Sequence, residues 1–128
     1  MRRSVLIVDD NPVNLKLAAV ILSPYYQLSI TDNGATAIKI AEFKRPDLIL
    51  LDIMMPDISG FDLCVRFKKN ERTKNIPIIF LTAKNEASDI MKAFEIGGVD
   101  YILKPFNASD ILFRVKAQID LKDNQEKF

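Results

Sequence analysis

Leu48-Ile49-Leu50-Leu51-Asp52-Ile53-Met54-Met55-Pro56 sets four apolar residues in a row, then one carboxylate, then a short run closed by proline. An uninterrupted apolar run has no wet face, so both of its sides must be covered, as in a strand inside a parallel sheet. Val5-Leu6-Ile7-Val8 and Ile76-Pro77-Ile78-Ile79-Phe80-Leu81 read the same way. Tyr26-Gln27-Leu28-Ser29-Ile30-Thr31 alternates instead, which suits an edge strand with one wetter face. Tyr101-Ile102-Leu103 is short and predicts the opposite edge.

Helical patterns separate these strands. Pro12 occupies a first helical position with Asp10 or Asn11 as cap, and Val13, Leu17, Val20 and Ile21 follow at helical spacing. Gly34 opens a second pattern through Ala37, Ile38, Ala41 and Phe43 that stops at Pro46. Gly60 precedes Phe61, Leu63, Cys64 and Phe67. Ala87, Ile90, Met91 and Phe94 form a fourth stripe ending at Gly97-Gly98. Asn107-Ala108-Ser109-Asp110 resembles a capping box, after which Ile111, Leu112, Val115 and Ile119 carry a fifth. Strict βα alternation with short connections calls for right-handed crossovers and helices on both faces of one parallel sheet. The expectation is a doubly wound α/β domain over residues 1–121, with 122–128 as fraying helix or the start of a linker.

Composition removes several classes of function. A chain of 128 residues can bury roughly two thirds of its unfolded surface, so it needs no staple. Its net charge of +1 provides no field that would draw it onto nucleic acid or a membrane. Histidine is absent, which rules out Ser-His-Asp and Cys-His catalysis and histidine metal sites. The single cysteine, Cys64, lies in an apolar stripe and reads as a small core side chain. The beginning of the chain does not read as a signal peptide, and no apolar run reaches the ~20 residues a bilayer span requires. A cytoplasmic location is expected.

In open α/β sheets, sites form beyond the carboxyl ends of the strands. Asp9 and Asp10 follow the first strand, Asp52 the third, Thr82 and Ala83 the fourth, and Lys104 the fifth. Three converging carboxylates repel and call for a cation. Mg²⁺ needs only one or two protein carboxylates because it keeps several waters. Asp10, Asp52 and the backbone carbonyl of Met54 are the candidate ligands, with Asp9 acting through water and Mn²⁺ as an alternative ion. Lys104 supplies positive charge opposite. The Thr82 hydroxyl and the backbone of Met54 and Ala83 lie between, where phosphoryl oxygens would sit. Asp52, central in this set, is the candidate nucleophile for an aspartyl phosphate. Taken singly, Asp9-Asp10 could be helix capping and Asp52 a turn residue. Their coincidence at one sheet edge favours the site.

The chain resembles the receiver domains of two-component response regulators over essentially its whole length. The matching residues are Val8-Asp9-Asp10-Asn11, Leu51-Asp52-Ile53-Met54-Met55-Pro56 with Gly60, Leu81-Thr82-Ala83 and Lys104-Pro105-Phe106. Asp10, Asp52, Thr82 and Lys104 stand 42, 30 and 22 residues apart, as in that family. The resemblance implies strand order 2-1-3-4-5, the flavodoxin-like arrangement that chemotaxis receivers share. It implies a Mg²⁺-dependent phosphoryl transfer to Asp52 from a phosphohistidine on a sensor histidine kinase or a histidine phosphotransfer protein. It makes Thr82 and Tyr101 the switch pair, and it allows a cis peptide at Lys104-Pro105. The domain would assist its own phosphorylation and dephosphorylation without being a turnover enzyme.

Phosphorylation would reshape the surface of the fourth helix, fifth strand and fifth helix, where Phe113, Ile90 and Phe94 are candidate partner contacts. A fused or separate output domain and a homodimer through that face are further expectations. Met54, two residues after Asp52, and Lys84, two after Thr82, offer no carboxylate or amide to orient an attacking water, so hydrolysis is not expected to be especially fast. A haloacid-dehalogenase-type phosphatase would need a second aspartate where Met54 stands. A flavodoxin-like redox module would place a phosphate loop where Asp9-Asp10 would repel it. A pseudo-receiver, binding partners without phosphorylation, would lack part of the acidic set or the lysine.

Overall fold

The strands β1 (Ser4–Val8), β2 (Gln27–Thr31), β3 (Leu48–Asp52), β4 (Ile78–Thr82) and β5 (Asp100–Leu103) form one sheet in the order β2-β1-β3-β4-β5. Every neighbouring pair is parallel. The helices α1 (Pro12–Leu22), α2 (Gly34–Lys44), α3 (Gly60–Lys69), α4 (Ala87–Glu95) and α5 (Ala108–Glu126) alternate with them. This is a computed structural model, and it describes residues 2–83 and 87–126.

Strand pleating divides each apolar run between two cores. Leu6, Val8, Ile49, Leu51, Ile78 and Phe80 face one side, where Ala37, Ala41, Leu63, Cys64, Phe67 and Ala93 from α2, α3 and α4 cover them. Val5, Ile7, Leu48, Leu50, Ile79, Leu81 and Ile102 face the other, under Leu15, Ala18, Leu22, Ile111, Val115 and Ile119 from α1 and α5. All of the interior-strand residues named are fully buried, and each such Leu or Ile contributes about 1.5–3 kcal/mol by leaving water. The missing alternation in the sequence is this two-sided cover.

Local chemistry fixes where the helices begin. The Asn11 side chain accepts from the Val13 and Asn14 amides, with Pro12 at the first helical position. The Ser59 hydroxyl accepts from the Asp62 amide to start α3, and Asn107 accepts from Asp110 to start α5. Gly97, at φ 110°, ends α4 in a conformation open to glycine.

Three apolar patterns land differently from the sequence reading. In α1 the buried face is Leu15, Ala18 and Leu22, whereas Val13, Leu17 and Val20 lie exposed. Both sets have helical spacing, and alanine's small volume hides the buried one. Phe43 points into solvent from the last turn of α2, and Met91 is exposed on α4, where Ala93 is buried; Phe94 is exposed there too, as expected of a candidate partner contact. Phe113 lies exposed on α5 as expected. The fourth strand begins at Ile78 rather than Ile76, because Pro77 has no amide to donate to a ladder.

The polar residues after Leu121 continue α5 to Glu126. Asp47 accepts from the Ser4 amide at 2.9 Å and from Lys122 Nζ at 3.2 Å, and Arg3 reaches both Asp47 and Asp123. This network ties the end of α5 to the start of β1, at the end of the sheet opposite the carboxylates.

Candidate functional site

Every strand that carries a functional residue delivers it by register. Asp52 pairs with Leu81, and Thr82 with Leu103, so the Asp52 carboxylate and the Thr82 hydroxyl emerge side by side on adjacent strands. The Ile53 amide donates to Leu81 O and the Lys104 amide to Thr82 O, extending both ladders one step beyond the strands. The Asp9 amide donates to Thr31 O in the same way at the end of β1. Gly60 brings α3 hard against this edge. Its amide donates to Ile53 O at 2.7 Å, and a Cβ there would stand 2.1 Å from Asp52 O. Only glycine allows that approach.

Asp9, Asp10 and Asp52 each present an oxygen, all within 4.8 Å of one another. Lys104 Nζ lies 2.9 Å from Asp9 Oδ2 and 3.1 Å from Asp52 Oδ1. Asp9 is completely buried and Asp52 nearly so, whereas Asp10 is exposed at the rim. Asp9 Oδ1 accepts from the Asn11 amide, and Asp52 Oδ1 from the Met54 amide at 3.3 Å. Asp9 Oδ2 has the Lys104 ammonium as its partner.

One ammonium cannot neutralise three carboxylates. Burial pushes the Asp52 carboxyl up to about 7, the Asp9 charge adding to the rise, and Lys104 pulls it back only in part. Burial pulls Lys104 down, but its pairing with Asp9 and Asp52 outweighs that and leaves it raised. The pocket therefore carries an excess of negative charge in a poorly solvated place, with three carboxylate oxygens within reach of one another. That fits a hard divalent cation held by oxygen ligands.

The cluster opens into a cleft of about 670 Å³ lined by Asp10, Asp52, Met54, Thr82, Ala83 and Lys104. Tyr101 lies apart from that lining. Its half-buried ring on β5 sits edge-on to Phe94 at 6.4 Å, with the Arg114 guanidinium 5.6 Å away. The Met54 side chain points to solvent. The Lys104-Pro105 peptide is cis. Lys84 lies outside the described residues. The sequence reading misses Asn14, Ser59, Phe61 and Asp89, which also line the cleft. For Asp89 a signal exists: an acid in the first turn of a helix that starts at the same sheet edge.

The family model of the response regulator receiver domain matches residues 5–116. The chain belongs to that family. As a receiver domain it is a phosphoacceptor of two-component signalling. It is 40% identical over 116 residues to the phosphate regulon transcriptional regulatory protein PhoB of Pseudomonas aeruginosa, covering 90% of this chain and 51% of that protein. It is 37% identical over 123 residues to a Vibrio cholerae protein named "Probable cyclic di-GMP phosphodiesterase", covering 96% of this chain and 28% of the relative. Among solved structures, the receiver domain of the sensor histidine kinase PA1611 of Pseudomonas aeruginosa, with magnesium coordinated in its active-site cleft, superimposes with a TM-score of 0.85. That pair is 30% identical, over 94% of this receiver and 99% of the other. This receiver thus spans between about a quarter and a half of the length of these two curated relatives. No described helix is long and apolar enough to cross a membrane.

Proposed function

We propose that Asp52 is the phosphoacceptor of this receiver and that Asp10, Asp52 and the Met54 backbone carbonyl, with Asp9 acting through water, hold Mg²⁺ beside it, Mn²⁺ being an acceptable substitute. The observation that carries this reading is Lys104 Nζ poised within 3.1 Å of Asp52 in a cluster with excess negative charge. When bound, the cation would offset charge on the carboxylates and on the transferring phosphoryl group. The chain's own residues do the rest. Asp52 attacks phosphorus in line with the leaving nitrogen of a phosphohistidine donor, supplied by a sensor histidine kinase or a histidine phosphotransfer protein. Lys104 pairs with a phosphoryl oxygen, and the backbone of Met54 and Ala83 contacts the others.

Thr82, buried beside Asp52, then turns its hydroxyl to the phosphoryl group, and Tyr101 changes its packing against Phe94 and Arg114. Those contacts lie on the face of α4, β5 and α5. There Phe94 and Phe113 are exposed and Ile90 half-buried, a suitable surface for a partner, an output domain or a second copy of the chain. The receiver unit is residues 1–121, to which Lys122 and Asp123 remain tied through Asp47 and Arg3. Its work is signalling in the cytoplasm without substrate turnover. The test is intact mass after incubation with acetyl phosphate and Mg²⁺. The native chain gains one phosphoryl group and Asp52→Asn gains none; equal labelling of both would overturn the assignment.

A further inference from the structure

If Asp52 carries the phosphoryl group, as proposed above, something must set how long it stays. Met54 points to solvent and offers no group to hold a water at the phosphorus. The cleft itself contains another candidate. Its polar lining is already largely committed: Asn11 and Ser59 cap α1 and α3, Asp10 belongs to the cation cluster, and Lys104 pairs with Asp9 and Asp52. Asn14 also lines the cleft, from the first turn of α1, but its amide cannot take up a proton. Asp89 remains. It lines the same cleft as Asp52, Thr82 and Lys104, it comes from the first turn of α4, and it is half-buried. It has no hydrogen-bond or ion-pair partner among the described residues.

We propose that Asp89 is the residue of this receiver that positions water for dephosphorylation. The ordinary alternative is that Asp89 only complements the helix dipole at the N-terminus of α4. A dipole role needs no place in the cleft, whereas a carboxylate there can accept both hydrogens of a water facing the phosphoryl group. The water oxygen attacks phosphorus, the bond from phosphorus to the Asp52 oxygen breaks, and its electron pair returns to the Asp52 carboxylate. Asp89 takes the proton lost by the water and releases it to solvent, while inorganic phosphate departs. General-base assistance of this kind is typically worth 10²–10⁴-fold when geometry is ideal. A half-exposed carboxylate at an open cleft should give much less, on the order of 10-fold.

The experiment follows intact mass in two phases, loading with acetyl phosphate and Mg²⁺ and then decay after the donor is removed. It compares the native chain with Asp89→Ala, Asp89→Asn and Asp89→Glu. Loading should be alike in all four. Decay should slow about 10-fold in Asp89→Ala and Asp89→Asn and return to within about 2-fold of native in Asp89→Glu, whereas loss of a dipole partner alone would lower stability and leave the decay rate unchanged. Decay unchanged or faster in Asp89→Ala overturns the role of Asp89 while leaving the acceptor site intact. Failure of the native chain to load at all overturns the acceptor reading, and this proposal with it.

Discussion

Asp52 is held in an environment that disfavours its own charge, and this has a measurable consequence. Its carboxyl is raised to about 7 in the folded, metal-free protein, chiefly by burial and next by Asp9. Folding therefore favours the protonated form. The stability this contributes is fully present below the ordinary carboxylate range and is lost as pH rises from there through about 7. Asp52→Asn cannot ionise and should escape the loss. Chemical denaturation at pH 4.5 and pH 8 should show the variant gaining on the native chain by about 1–3 kcal/mol at the higher pH. A gap independent of pH would contradict the burial argument. Lys104 works in the opposite sense, so Lys104→Met should move the Asp52 titration further upward, readable by carboxyl-resolved NMR.

At the scale of elements, the junction of β3 and α3 governs how well the Asp52 carboxylate is placed. Gly60 has no room for a Cβ, because the obstacle is the backbone carbonyl of Asp52 itself rather than a movable side chain. Gly60→Ala should cost about 3 kcal/mol by forcing the helix off the strand end, and it should slow phosphoryl uptake in the molecules that still fold. A variant of native stability with native uptake would show that the junction is softer than its contacts imply. The strands are legible in the sequence because a parallel sheet leaves no wet face and so no alternation, a signal carried by Val5–Val8 and Leu48–Leu51 alike. The covering faces of the helices are less legible. In α1, Leu15, Ala18 and Leu22 compete with Val13, Leu17 and Val20 at the same period, and only the sheet decides which set is buried. Residues whose role depends on facing a cavity give little signal in one dimension: Asn14 gives none, and Asp89 only its place as an acid in the first turn of α4.

Across the whole molecule, folding creates the site by bringing together carboxylates and an amine distant in sequence, so anything that binds there binds only the folded state. Mg²⁺ should raise the thermal midpoint, by about 2.7 kcal/mol of stability at a concentration 100 times its dissociation constant. Asp10→Asn should lose most of that gain without losing the fold, because Asp10 stands at the exposed rim. Calorimetry with and without the ion checks both statements. Asp9, Asp10, Asp52, Thr82 and Lys104 are legible as a set because strand ends in such a fold share one edge. The half-buried position of Tyr101 against Phe94 and Arg114 is not, since it depends on contacts between α4, β5 and α5. The most direct measurement of the central claim is borohydride reduction of the chain after acetyl phosphate treatment, followed by peptide mass mapping. An acyl phosphate on Asp52 should be reduced to homoserine at position 52 and nowhere else. Reduction at Asp9 or Asp10, or a phosphoryl group that survives the reductant on a hydroxyl, would contradict it.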